Sequence, residues 1–473
     1  MSEAATVSAP PPAQGAWSVL REAVRGSHQD LTEAPIGRAV VLLSVPMVLE
    51  MLMESVFAVV DIFFVGRLGA DAVATVGITE SLMTVIYAIA IGLCIGATAT
   101  VARRIGEKDP DAAARAAVQS IALGIVMAAI IGGAGAVFAP DLLRMMGASE
   151  DVVRTGAGFT RVMLGASGGV LLLFLINAVF RGAGDAAIAM RVLWFANSIN
   201  IILGPCLIFG LGPFPEMGVT GAAVATSIGR WSGVCYQLRH LTSGRSRIVV
   251  HSSHLRPDVR LMRTILRLSG VGMMQNFIGT ASWMGIIRIL AGFGSPAVAG
   301  TTIAIRVIMF ALLPSFGVSN AAATLVGQNL GAGRPARAEA AAWRAGLYNT
   351  GCLVVVGALF VLFAPQIVGL FTADPVVARY GIGCLRIVSA GFLFYGYGMV
   401  LTQAFNGAGD ARTPMFIHLF VLWMLELPLA WVLAYPGGFG PTGAFIGIAV
   451  AFSVLALVAG WIFSRGWWKA KRV

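Results

Sequence analysis

Residues 180–185 read Phe-Arg-Gly-Ala-Gly-Asp and residues 405–410 read Phe-Asn-Gly-Ala-Gly-Asp, the same phrase 225 positions on (405 − 180). The offset holds far beyond the phrase. It carries Gly69 to Gly294, Ala72-Val73-Ala74 to Ala297-Val298-Ala299, Gly92 to Gly317, Gly106 to Gly331 and Pro110 to Pro335. It then carries Phe138-Ala139-Pro140 to Phe363-Ala364-Pro365, Arg154 to Arg379, Arg161 to Arg386, Met190 to Met415 and Gly218 to Gly443, with no insertion or deletion. Whatever this chain folds into, it folds into it twice.

The repeated unit is too apolar for water. Of 473 residues, 58% are hydrophobic and 12% charged, where a soluble chain carries about a quarter charged residues. Apolar runs near the length that crosses a hydrocarbon core recur six to a copy: 39–64, 72–101, 116–139, 153–179, 188–210 and 218–240, then 265–290, 297–324, 341–364, 377–404, 413–435 and 443–467. The predicted fold is an all-α integral membrane protein, twelve transmembrane helices in two parallel six-helix bundles. An even number of spans per copy gives both copies one orientation, so their pseudo-twofold axis lies along the membrane normal. A duplicated hydrophobic unit of this size is the architecture of membrane transporters. The predicted division is a tail at 1–38, bundles at 39–240 and 265–468, a basic linker at 241–264 and a short tail at 469–473. Glycines spaced as Gly92-x-x-x-Gly96 and Gly327-x-x-x-Gly331 read as close helix packing.

The net charge of +11 belongs to the positive-inside rule rather than to nucleic acid. Arginines and lysines gather at the tails, the linker and alternate loops, including Arg103, Arg104, Lys108, Arg181, Arg247, Arg256, Arg334, Arg337 and Lys471. The opposite loops hold only Arg67, Arg144, Arg154 and Arg379. Both termini are therefore expected in the cytoplasm of a cell whose inner membrane the chain crosses many times. Residues 1–37 open on a polar, Pro-rich stretch with no early apolar run, unlike a cleaved signal peptide, and Trp17 to Val24 could lie on the membrane surface. Five cysteines sit singly in apolar spans and read as small core residues.

Charge inside the spans is the functional signal, because a carboxylate at mid-bilayer costs about 2.5–3.5 kcal/mol even on insertion scales. The first span carries Glu50, Glu54 and Asp61, which fall within an arc of about 40° on a helix. Glu80 adds a fourth acid in the second span. The duplication supplies a control: the partner positions are Gln275, Gly279, Ile286 and Ile305. The second copy keeps the scaffold without the acids. Cation handling by the first copy explains that asymmetry; structural pairing with Arg161 or Arg230 is the other reading. Asn177, Asn197, Asn200 and Thr226 add amide and hydroxyl groups to the same copy. Glu426 is the second copy's own acid, a candidate substrate counter-ion or a structural partner of Arg386. Pro46, Pro205, Pro314 and Pro428 interrupt helical runs and permit bends.

Enzymatic readings fare poorly. Gly165-Ala-Ser167-Gly-Gly169 matches a nucleophile elbow by letter, but the elbow needs a strand-turn-helix context, and only His418 lies inside a span as a base. His251-Ser-Ser-His254 stands alone in a basic loop and is expected to be solvated. No phosphate-binding Gly-x-x-x-x-Gly-Lys motif occurs, so ATP hydrolysis by this chain is not the energy source. No cofactor is expected.

Val60-Asp61-Ile62-Phe63-Phe64-Val65-Gly66-Arg67-Leu68-Gly69, Ala72 to Gly77, Arg181 to Asp185, Gly327-Gln328-Asn329-Leu330-Gly331 and Gly407 to Asp410 together resemble the multidrug and toxic compound extrusion (MATE) family, over essentially the whole chain after the tail. The resemblance implies two six-helix bundles in a V around a central cavity. It also implies export of organic, often cationic or amphipathic, compounds in exchange for H⁺ or Na⁺. In similar prokaryotic members a first-bundle cation is held by an aspartate, asparagines and a threonine, which Asp61, Asn177, Asn200 and Thr226 match. Gly204 occupies the place of a second aspartate, so the chain departs from that pattern, and Glu50 or Glu54 could restore the charge. The expected coupling set is thus Asp61, Glu54, Glu50, Asn177, Asn200 and Thr226, with Na⁺ or H⁺ as the coupling ion. Expected substrate contacts are Glu426 and Glu80, with Phe277, Trp283, Phe316 and Tyr395 as stacking surfaces between the bundles. The chain is expected to work as a monomer. The rivals are a lipid-linked precursor flippase of the same superfamily, a membrane-embedded enzyme and a channel.

Overall fold

The computed structural model describes residues 16–27, 29–244 and 246–473. An amphipathic helix α1 (Ala16–Arg25) with Trp17, Leu20 and Val24 exposed precedes the first bundle. That bundle is α2 (Ile36–Val65), α3 (Ala70–Gly106), α4 (Pro110–Met145), the broken pair α5 (Glu150–Gly165) and α6 (Ser167–Ala183), α7 (Ala186–Phe209) and α8 (Val219–Thr242). The second repeats it with α9 (Val259–Ala291), α10 (Ser295–Gly331), α11 (Pro335–Gly369), the pair α12 (Pro375–Ala390) and α13 (Phe392–Gly407), a span made of α14 (Arg412–His418), a π-helical run (Leu419–Glu426) and α15 (Leu427–Ala434), and finally α16 (Pro441–Ser464). The broken pair of the second bundle bends by 61° at Gly391.

Among the described residues, eight helical segments are apolar and long enough to cross a membrane, and the bent pair makes a ninth. The three remaining spans, α2, α8 and α9, are the ones that carry Glu50, Glu54, Asp61, Arg230, Gln237 and Gln275. Most of these polar groups are turned inward, where the backbone is already satisfied by the helix itself.

The repeated phrase is a helix ending. Phe180 and Phe405 are fully buried, and the chain then turns through Gly184 and Gly409 at φ 89° and 84°, a left-handed conformation that glycine adopts without steric cost. Asp185 N–H donates to the Phe180 carbonyl at 2.8 Å and Asp410 N–H to that of Phe405 at 2.9 Å, closing the last turn. The middle glycines serve packing. A Cβ on Gly182 would lie 3.2 Å from the Thr98 carbonyl oxygen of α3, and one on Gly407 would run into the carbonyl of Ala323 on α10. The aspartates then anchor the connecting chain. Asp185 accepts from Arg247 N–H at 2.8 Å and pairs with its guanidinium at 3.3 Å, while Asp410 lies 3.5 Å from the Lys471 ammonium.

The bundles join by the same symmetric trick. A Cβ on Gly106 would meet the Gln328 carbonyl, and one on Gly331 the Arg103 carbonyl, positions that exchange under the 225-residue offset. Gly92 packs on Ser269 and Met273 of α9, and its partner Gly317 on Met47 and Val48 of α2. The spaced glycines of the sequence thus pack α3 closely on α9 through Gly92 and Gly96, and on α10 through Gly327 and Gly331. Polar bonds reinforce the seam: Gln328 Nε2 donates to the Gly182 carbonyl at 2.9 Å, and an Arg103 guanidinium N–H donates to the Ala408 carbonyl at 3.2 Å. At the same end, Arg334 donates to the Thr32 carbonyl at 2.6 Å, and Arg104 to the Val473 carbonyl at 3.2 Å. The described parts of both termini therefore lie on one face.

Away from that face the contacts fade. In α2, Ala39, Val40, Leu42, Leu43, Met47 and Glu50 are buried, whereas Leu52, Val56, Val59 and Phe63 are exposed. The bundles touch along their terminal halves, and on the opposite side this stripe of α2 is left uncovered, where the family resemblance implies the central cleft. Two expectations shift. Cys235 and Cys352 lie exposed on their spans rather than in the core. His254 is buried beside Asp111 at 3.4 Å instead of solvated, because the linker folds back against α4.

Leucine at Gly106 or Gly331 overpacks this seam, a cost of about 1–3 kcal/mol. We expect either variant to melt a few degrees lower in detergent. Gly204→Ala, where an added methyl meets nothing within 4 Å, should leave the melting temperature in place.

Candidate functional site

The face of α2 that carries the three acids turns toward α6, α7 and α8. At 1.5 Å per residue, Glu54 stands about 6 Å beyond Glu50 and Asp61 about 16 Å beyond it. Each level meets a different environment.

Glu50 is fully buried. Its Oε1 accepts from Arg181 Nη1 at 2.7 Å and from Asn177 Nδ2 at 3.0 Å. Asn177 Oδ1 in turn accepts from Gln237 Nε2 at 2.7 Å, so α2, α6 and α8 share one polar chain. Glu50 Oε2 has no hydrogen-bond partner among the described residues. One level up, Glu54 accepts from Arg230 through both oxygens, at 2.6 and 3.3 Å, and from Asn197 Nδ2 at 3.0 Å. The Arg230 guanidinium lies between two rings, 4.9 Å from Phe57 and 5.6 Å from Phe174. Such pairs stand only while both partners stay, since removal of one leaves an uncompensated buried charge.

Asp61 differs. It is half-buried and makes no hydrogen bond or ion pair among the described residues. The charges within electrostatic reach of it are Glu80 and Arg230. Glu80 is exposed on α3 and in turn lies within reach of Arg306 on α10 of the other bundle. Tyr87, half-buried against Phe174 at 6.2 Å, is within reach of Arg230, Glu54, Glu80 and Asp61 together.

The set expected to share one cation is therefore divided. Asn177 is bonded to Glu50, about 16 Å down the helix from Asp61, much farther than two oxygens around one ion can stand at 2.3–2.6 Å each. Asn200 and Thr226 bond each other at 2.7 Å. Gly204 is buried with nothing within 4 Å of where a Cβ would stand, so the second-aspartate place is an unfilled gap beside them. Glu50 and Glu54 do not look into an open chamber as a continuous stripe; they are clamped by arginines. Arg161 does not serve either acid. It is exposed and donates to the Ala136 carbonyl at 3.2 Å, mirrored by Arg386 to Val361 at 3.1 Å.

In the second bundle, Glu426 is buried and accepts from Ser282 Oγ at 2.8 Å, with no arginine. It ends the π-helical run, whose Leu427 N–H reaches back to the Leu422 carbonyl; Pro428, lacking an N–H, cannot restore regular bonding there. Tyr395 packs edge-on to Phe452 at 4.7 Å, and Trp283 joins the same bundle core. These two stack inside the second bundle rather than between the bundles. Phe277 and Phe316 are exposed. Ser167 is buried at the start of α6 with no strand among the described residues, so the elbow motif is helix packing.

The copies held a signal that finds the ion pairs. Glu50 and Arg181 become Gln275 and Asn406; Glu54 and Arg230 become Gly279 and Leu455. Acid and base vanish together, as paired charges must. Asp61 and Glu80 become Ile286 and Ile305 although neither forms an ion pair among the described residues; Arg230, within electrostatic reach of Asp61, is paired with Glu54 instead. We expect Glu54→Gln to destabilise the protein by about 3–5 kcal/mol, read as lost membrane yield and a lowered melting temperature. Asp61→Asn should melt like the unsubstituted protein.

The family model described as MatE matches residues 46–206 and 273–432, one stretch in each copy. The "Probable multidrug resistance protein NorM" of Thermotoga maritima is 28% identical over 443 residues, covering 93% of this chain and 94% of the relative. The "FAD transporter" of Shewanella oneidensis is 26% identical over 416 residues, covering 86% and 90%. A solved structure described as the outward-facing conformation of a multidrug resistance MATE family transporter of the MOP superfamily superposes with a TM-score of 0.87 at 26% identity, covering 93% of this chain and 98% of that one. With both copies matched in order over more than half of its length, this twelve-span duplicated chain belongs to the MatE family.

Proposed function

We propose that the chain is a secondary antiporter that exports organic, cationic or amphipathic compounds in exchange for H⁺ or Na⁺ by alternating access. Relatives named for multidrug resistance along nearly the full length support efflux. The observation that carries the coupling is Asp61, the member of the α2 acids without an arginine. A carboxylate with no fixed counter-charge gains most from a proton or a cation, and such a ligand shifts a two-state equilibrium by its differential affinity for the two states. Glu50 with Arg181 and Glu54 with Arg230 serve as the rigid frame against which that change is felt. Asn200 and Thr226 are the oxygens best placed to assist a bound ion.

In this reading, residues 39–240 and 265–468 are the two moving bodies, the face with both termini is cytoplasmic, and the cleft opens outward from a prokaryotic inner membrane. Basic residues concentrate on the terminal face, as the positive-inside rule asks. Glu80 lines the cleft wall with Phe277 and Phe316, while Glu426, bonded to Ser282, is a second acid buried within the other bundle, whose core also holds Trp283 and Tyr395. The protein acts as a monomer embedded in lipid.

The decisive measurement is dye export from proteoliposomes under an imposed pH gradient and, separately, an imposed Na⁺ gradient. Asp61→Asn should lose nearly all gradient-driven export at unchanged membrane abundance. Full export by that variant would remove Asp61 from the coupling role. Export driven by the pH gradient alone would assign the proton as the coupling ion.

A further inference from the structure

Arg306 lies about 16 Å along α10 from its start at Ser295, deep in a span of the second bundle. It is exposed, and among the described residues it makes no hydrogen bond or ion pair. An arginine at such depth is costly enough that it marks a pathway more often than packing. Its direction can be read from the helix. Gly317 and Gly331 pack against the first bundle, at Met47–Val48 and at Arg103. Counted at 100° per residue, both lie within about 20° of Arg306 around the α10 axis. Arg306 therefore looks across the cleft toward the first bundle, not into lipid. Glu80, on α3 of the first bundle, is the carboxylate within its electrostatic reach, and Asp61 is in turn within reach of Glu80. One turn from Arg306, within about 40° on the same face, Phe310 is also exposed.

The walls of the cleft thus carry opposite charges that do not bond each other. We propose that Arg306 is a specificity-determining residue that binds a carboxylate of the exported compound, while Glu80 and Asp61 face its cationic end, so that the preferred substrates are planar zwitterions rather than simple cations. The guanidinium offers paired N–H donors matched to a carboxylate, and Phe310 offers a ring face beside it. The assignment rests on the efflux reading above and narrows its substrate class.

The test uses a matched pair: a rhodamine-type dye with a free carboxylate, and its methyl ester, which keeps the cation and loses the acid. Export of each is measured in proteoliposomes for the unsubstituted protein, Arg306→Ala and Arg306→Lys. The unsubstituted protein should export the free acid preferentially. Arg306→Ala should lose about tenfold or more on the free acid, as one charge-assisted hydrogen bond warrants, and keep ester export. Arg306→Lys should recover part of the loss, which also controls for folding. Equal loss on both dyes, or no loss on the free acid, would overturn the assignment while leaving efflux intact. Export of neither dye by the unsubstituted protein, under either ion gradient, would overturn the efflux reading and this assignment with it.

Discussion

An ionised group taken out of water has to find a partner, give up its charge or keep a wet neighbour, and this chain uses more than one of these answers along a single helix. Glu50 and Glu54 are held by Arg181 and Arg230. The carboxylates and guanidiniums, with Asn177, Asn197 and Gln237 bonded to them or to one another, bind α2 to α6, α7 and α8 into one body. Asp61 sits on the same face, three helical turns from Glu50, and has no such clamp. The contrast between fixed and unfixed charge is what separates scaffold from candidate mechanism here. A buried pair contributes little net stability but is expensive to break, so it suits a frame; a lone carboxylate responds to what arrives.

Duplication sets the mechanics around that helix. Pseudo-symmetric glycines let α3 and α10 cross at backbone distance, and each copy packs its second helix on the first helix of the other. The glycine seam that closes one end is built from these paired contacts, and the exposed stripe of α2 lies beyond it. The copies then divide the polar chemistry. The first carries the acids Glu50, Glu54, Asp61 and Glu80; the second carries Arg306 and Glu426 at positions where the first has Ser81 and Ile201. A cleft between unequal copies is polarised across its width, which a cleft between identical ones could not be.

Much of this was legible in the residues. The twelve spans, their pairing into copies, the shared orientation and the glycine seams follow from hydropathy, the 225-residue offset and small-residue spacing, all of which are local or self-referential patterns. The ion pairs were half legible. Arg181 read as a loop cation because it precedes a helix end, yet its loss together with Glu50 between copies points to pairing. The linker's His254 and the aromatic Tyr395 were misplaced because burial depends on which neighbouring element folds back over a residue.

What the sequence by itself determined was the set of helices, their polarity and the fact that carboxylates lie at membrane depth on one face of α2. Those depend on period and composition, which any single helix expresses alone. What only the tertiary structure decided was which carboxylate is free. Asn177 meets Glu50 and not Asp61, Asn200 meets Thr226, and Arg306 comes within electrostatic reach of Glu80, because the levels and rotations of packed helices fix those distances. No spacing along one chain specifies the height at which two helices lock together; the glycines and side chains between them do.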